Sequence, residues 1–182
     1  MSKRRSFLKS SFLTGASFLA YRSSLFAGED KRYGTKKDFP IVLSTWDFGR
    51  AANAEAWKIL GTKGRALDAV EAGVKITEAD PSIQTVGYGG LPDRDGKVTL
   101  DACIMDERGR CGSVAAIENI MHPISVARMV MEKTPHIMLV GDGALQFALE
   151  NGFKRENLLT AESEKAWKEW LRTAQYRPIM NI

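Results

Sequence analysis

The hydrophobic and polar positions of this chain fall into short alternating blocks, and each block predicts an element. Phe39-Pro-Ile-Val-Leu-Ser-Thr45 is an apolar, β-branched run and predicts a buried strand. Asn53 can cap a helix that carries Ala56, Ile59 and Leu60 on one face, closed by Gly61. The 3.6-residue period returns over 65–79, where Ala66, Val70, Gly73, Val74 and Thr77 would form the inner stripe and Asp80-Pro81 the stop. Lys97–Met105 and Arg110–Ile117 read as two strands of an antiparallel hairpin about the turn Asp106-Glu107-Arg108-Gly109. Pro123 suits the first turn of a helix over 124–133, broken at Thr134-Pro135. His136–Val140 predicts a further buried strand. Gly141-Asp142-Gly143 turns into a helix that ends at Asn151-Gly152. Thr160 caps a last helix reaching Ala174, with Ala166, Trp170 and Leu171 near one face, and Tyr176–Ile182 is read as extended.

Helices and strands mix, and one hairpin is antiparallel, so the fold class is α/β (α+β), with layers packed around sheets. Two glycine-rich stretches, Gly87-Tyr88-Gly89-Gly90 and Asp93-Arg94-Asp95-Gly96, carry turn chemistry. The first is expected to set backbone shape, since only glycine enters the left-handed region freely.

Composition changes this picture little: 182 residues, 44% apolar and 26% charged, are enough for one domain with a core. Charge changes it more. The net charge is +4, but Lys3, Arg4, Arg5, Lys9 and Arg22 fall within the first 28 residues, which hold no acid. The remainder therefore carries −1, and no basic stripe is left for a nucleic acid. Lys3-Arg4-Arg5-Ser6-Phe7-Leu8-Lys9, followed by a mild apolar run over 12–20, resembles a twin-arginine export signal. That run is too short, and too rich in Ser, Thr and Gly, for a stable membrane anchor. The expected organisation is a signal over 1–28, a polar leader over 29–39 and a folded part over 40–182, with a periplasmic destination.

Several chemistries are missing from the sequence. His122 and His136 lie in no H-E-x-x-H, no G-x-S-x-G occurs, and no phosphate loop of the G-x-x-x-x-G-K type occurs. Asp93–Gly96 is out of register for a calcium loop, because Leu91 and Ala102 would occupy its first and last ligand positions. No metal and no cofactor is expected. Cys103 and Cys111 flank a turn. A disulfide between them stays open in an exported protein, and free buried thiols are the preferred reading. Trp46 follows the first strand, and its residue chemistry suits either a core or the wall of a small polar pocket, where its indole nitrogen could donate.

The motifs together are more specific. Ser44-Thr-Trp-Asp-Phe-Gly49, Gly87–Gly90, Asp93–Gly96, Leu100-Asp-Ala-Cys-Ile-Met-Asp106, Met131-Glu-Lys-Thr-Pro-His136 and Leu139-Val-Gly141 run in order. The chain thereby resembles the bacterial glycosylasparaginases among the N-terminal-nucleophile hydrolases, from about residue 40 to 182. One departure is Asp47, where relatives usually carry Asn.

The resemblance implies a four-layer αββα sandwich, incomplete here, and a precursor that cuts itself into an α and a β chain before a threonine. It implies that the substrate is a glycosylated asparagine, that the β part of the same precursor is the partner, and that αβ units form a homodimer. The nucleophile would lie beyond Ile182, since no His-Asp-Thr occurs in the sequence, so this chain supplies no catalytic residue. Trp46 maps onto a substrate-lining tryptophan, and Phe48 is expected to shape the same wall. An L-asparaginase or isoaspartyl peptidase of the same superfamily is the alternative, and a non-catalytic periplasmic binding module the alternative from another class.

Overall fold

The computed structural model describes residues 39–174. The expected export signal, nearly all of the expected polar leader and the stretch over 176–182 that the sequence suggested as extended lie outside the described residues. Five helices and three strands follow in the order α1 (Gly49–Leu60), α2 (Ala66–Ala79), β1 (Thr99–Met105), β2 (Cys111–Glu118), α3 (Pro123–Lys133), β3 (Met138–Val140), α4 (Gly141–Glu150) and α5 (Ala161–Thr173). The sheet order is β1-β2-β3, antiparallel between β1 and β2 and parallel between β2 and β3. This mixed sheet with flanking helices is the α/β class expected.

The hairpin forms where the sequence placed it, and Asp106 explains its tight turn. Its Oδ1 accepts the backbone N–H groups of Arg108 (3.0 Å) and Arg110 (2.9 Å), while Gly109 takes the left-handed conformation at φ +75°. Register then runs from Met105 opposite Cys111 to Thr99 opposite Glu118. It slips once: between Ala102–Val114 and Leu100–Ile117, β2 uses one residue more than β1. The bulge puts Ala116 at φ +50°, and its N–H is taken by the Asp101 carboxylate at 2.7 Å.

The strands bury one face. Leu100, Ile104, Val114 and Ile117 meet Ile124, Val126, Ala127 and Val130 of α3 and Ala144, Leu145 and Ala148 of α4. Gly112 lets α3 lie close on β2, because a Cβ there would run into the carbonyl of Ala127. Thr99, Asp101, Cys103 and Met105 alternate onto the opposite face and are exposed. Helices therefore cover one side of this sheet, and the β1 side chains on the other side are left exposed.

Local signals placed most element boundaries. Pro123 does occupy the start of α3, and Thr160 caps α5 by accepting from Ser163 N–H at 3.2 Å. Exposure overturns several expectations. Residues 39–45 form no strand, and Ile41 and Leu43 are exposed. A strand needs a neighbour for its backbone groups, and none is described beside this one. Helix α1 starts at Gly49, not after Asn53, whose side chain instead accepts from Ser44 Oγ at 2.5 Å.

In α2, Ala66 and Val70 are exposed, whereas Leu67, Ala69, Gly73 and Thr77 are buried. The stripe is rotated because α2 packs on α1, where Gly73 sits against the Ala52 carbonyl. Strand β3 is a three-residue edge strand with Met138 and Val140 half exposed, not a buried one. Cys103 and Cys111 are free thiols, but Cys103 is exposed and Cys111 only part-buried, because both lie on the bare side of the hairpin. Helix α5 leaves Ala166, Trp170 and Leu171 exposed. It is held by its first half: Ser163 Oγ donates to the Gly89 carbonyl, and Trp167 lies over Gly96 and donates to the Arg94 carbonyl at 3.2 Å.

Candidate functional site

The segment Ser44–Gly49 turns the chain from an extended stretch into α1. Gly49 N–H bonds the Trp46 carbonyl at 2.9 Å, and Arg50 N–H bonds that of Asp47 at 3.2 Å, so the first helical turn begins over the Trp46–Phe48 segment. Gly49 is buried against Ser44, and a Cβ there would overlap the Ser44 side chain. This contact folds the turn back on itself and throws Trp46 and Phe48 to the same side. Their rings stack with centroids 6.4 Å apart and an interplanar angle of 16°. Trp46 is 69% exposed and Phe48 part-buried. The stacked pair is left open to solvent and does not belong to the core.

Two cavities lie in this part of the molecule. One is a groove between the 41–44 stretch and the α1–α2 pair, lined by Ile41, Leu43, Ala52, Ala56, Leu60 and Val70. Its polar groups, Ser44 and Asn53, are bonded to each other, so it offers packing surface and little chemistry. The second, about 340 Å³, opens between the end of α2, β1 and the start of α3, with Glu78, Thr85, Thr99, Asp101 and Cys103 in its wall.

Glu78 is the polar residue that periodicity did not single out. It is 3% exposed. Its Oε1 accepts the Ile124 N–H at 3.1 Å, at the first turn of α3, and its Oε2 lies 3.1 Å from His122 Nδ1. Burial pushes its carboxyl above the usual range, against the pull of His122, the Ile124 N–H and Lys75. Its signal in the sequence was position alone, a carboxylate four residues after Val74 and next to Thr77 in an otherwise apolar stripe. His122 is thus tied to the buried end of α2. The Gly87–Gly90 loop does what was expected: Gly87 and Gly89 sit at φ +58° and +84°, pressed on the backbones of Glu78 and Pro81.

Among the described residues, no three His, Cys, Asp or Glu side chains cluster so as to hold a metal ion. Nor does any helix among them have the length and apolar character to cross a membrane. Thr160, an internal hydroxyl, is committed to capping, since it also donates to Ser163 Oγ at 3.2 Å.

Comparison with known proteins fits the motif order. Residues 37–181 match the asparaginase family known as asparaginase 2. The chain belongs to that family. It is 72% identical over 143 residues to the N(4)-(β-N-acetylglucosaminyl)-L-asparaginase of Elizabethkingia miricola, covering 79% of this chain and 42% of that protein. The enzymes of the same name from Mus musculus and Rattus norvegicus are 44% and 45% identical over 133 residues, covering 72% of this chain and 38% of theirs. The chain thus spans about two fifths of the length of these relatives.

Proposed function

We propose that this chain is the α part of an exported, self-cleaving amidohydrolase that cuts the side-chain amide of N-glycosylated asparagine. The observation that carries the reading is the Ser44–Gly49 turn. It presents Trp46 and Phe48 as an open aromatic wall within a family whose named relatives are glycosylasparaginases. The bare face of the sheet and the exposed 41–43 stretch support a four-layer sandwich completed by a β part, which would cover both. The twin-arginine-like start supports a periplasmic destination. Dimerisation of αβ units is proposed by family resemblance alone.

In this reading the nucleophile is the amino-terminal threonine of the β part. A threonine hydroxyl is weak until a base removes its proton, and the residue's own α-amine, with an ordinary pKa of about 7.7–8.0, suits that task near neutral pH. The oxygen attacks the amide carbonyl while the amine takes the proton. An oxyanion hole holds the tetrahedral intermediate. Its collapse breaks the C–N bond, and the glycosylamine leaves with the proton. Water then cleaves the ester and releases aspartate. The α part contributes binding: Trp46 and Phe48 close one side of the pocket and exclude water from the aspartyl group.

The test is to express the complete gene product, look by mass spectrometry for two chains with a new amino-terminal threonine, and assay aspartylglucosamine beside L-asparagine and β-aspartyl dipeptides. Cleavage with preference for aspartylglucosamine is expected. Preference for the other two substrates would move the protein to the L-asparaginase or isoaspartyl peptidase branch. A stable, uncleaved product with no hydrolysis would make it a binding module and end the proposal.

A further inference from the structure

We propose that the exposed face of the sheet, at the turn end of the β1–β2 hairpin, binds a soft monovalent cation, Cu(I), between the thiolates of Cys103 and Cys111, with the thioethers of Met105 and Met138 beside them. The inference is independent of the amidase reading. Side chains alternate along a strand, so Cys103 and Met105 leave the same face of β1. The register sets Met105 opposite Cys111 and Cys103 opposite Ser113, and it is regular from Ala102 to Met105. On the other side of β2 it sets Met138 of β3 beside Ser113. Neighbouring positions on one face thus hold two thiols, two thioethers and one hydroxyl. Core packing does not account for them: Cys103, Met105 and Met138 are exposed, and Cys111 is part-buried. The hydroxyl is engaged elsewhere, since Ser113 Oγ donates to the Ile137 carbonyl at 2.8 Å. The donors left on this face are sulfur.

Spacing decides what the two thiols can do. Cys103 and Cys111 are diagonal neighbours across the strand pair, and diagonal Cβ atoms stand about 7 Å apart. A disulfide needs about 3.5–4.5 Å between its Cβ atoms. Both thiols are accordingly free. A metal ion spans the gap that a disulfide does not: two metal–thiolate bonds of about 2.3 Å, laid end to end, set the sulfurs about 4.6 Å apart. A filled-shell monovalent ion accepts that linear arrangement. Met105, directly opposite Cys111 and on a flexible stem, brings a third sulfur within reach. Thiolate and thioether donors are soft and select Cu(I) over Mg(II) or Ca(II). Zinc wants four nitrogen or sulfur ligands of the thiolate and imidazole kind, and among the described residues no third His, Cys, Asp or Glu joins the pair. Asp101, next along this face, is engaged by the Ala116 N–H at 2.7 Å. Binding breaks two S–H bonds and forms two S–Cu bonds. Both protons pass to solvent, the copper stays Cu(I), and nothing is oxidised.

The test titrates the complete gene product, reduced and without oxygen, with Cu(I) held by a competing chelator. Native mass spectrometry counts the metal bound, and a parallel melt follows the fold. Wild type is expected to take up a single Cu(I) at this site, which Ag(I) displaces and Zn(II) does not. Cys103→Ser and Cys111→Ser should each abolish that uptake, while Tm stays within about 2 °C of wild type because neither side chain is in the core. Met105→Leu should keep the stoichiometry and weaken binding about tenfold. No uptake by wild type, uptake that survives both serine variants, or a Cys103–Cys111 disulfide in protein isolated without reductant would overturn the site. If a serine variant yields no folded protein, alkylation of wild type decides. Iodoacetamide should modify both thiols in the absence of Cu(I) and neither in its presence, as read by peptide mass spectrometry. Equal alkylation with and without Cu(I) would overturn the proposal.

Discussion

At the residue scale, the proposed function gives Trp46 a role that packing does not. It is largely exposed and stacks only on Phe48 among the aromatic residues described. On the proposed function, Trp46→Ala should leave stability nearly unchanged, yet raise KM of the complete gene product for aspartylglucosamine by about tenfold, with kcat less affected. Steady-state kinetics with a parallel melt check this, and an unchanged KM would remove Trp46 from the pocket wall. Gly87 is the opposite case. At φ +58° and against the Glu78 carbonyl, it has neither the backbone freedom nor the space for a side chain. Gly87→Ala should destabilise by more than about 1 kcal/mol in denaturant unfolding.

At the element scale, the hairpin turn is held by one carboxylate. Burial alone would raise the Asp106 pKa, but hydrogen bonds from the Arg110 side chain and from the Arg110 and Arg108 backbones prevail, so it lies below the usual aspartate value. A depressed acid contributes stability above its unfolded pKa and loses it as pH falls through the folded one. Acid unfolding should therefore soften below about pH 4, and Asp106→Asn should lose that part of the acid dependence. The sign is opposite to that at Glu78, whose carboxyl burial holds above the usual glutamate range. Helix α5 adds a simpler test. Thr160→Ala removes its cap and should cost about 1 kcal/mol, seen as faster amide exchange at Ser163.

At the scale of the whole molecule, the described part is one-sided. The sheet has helices on one face, and Ile41, Leu43, Val70, Met105, Met138, Val140 and Trp170 stand exposed. Residues 1–182 expressed alone should therefore collect in insoluble or soluble aggregates and show no amidase activity, which size-exclusion chromatography and an aspartylglucosamine assay would reveal. A monomer that melts cooperatively would contradict this, and would mean that the bare faces need no partner.

The sequence by itself determined the span of α2, the hairpin and its turn, the starts of α3 and α5, and the family. Each of these rests on groups a few residues apart, such as Pro123 at a helix start, Thr160 and Ser163, or Asp106 and Gly109, so neighbours in the chain suffice to specify them. Only the tertiary structure decided which faces are covered. It left 39–45 without a strand partner, put β3 at an edge, turned Val70 and Trp170 outward, opened Cys103, and buried Glu78 against α3. Burial depends on residues far away in the chain, and a period of 3.6 or 2 says which side chains share a face but not what that face meets.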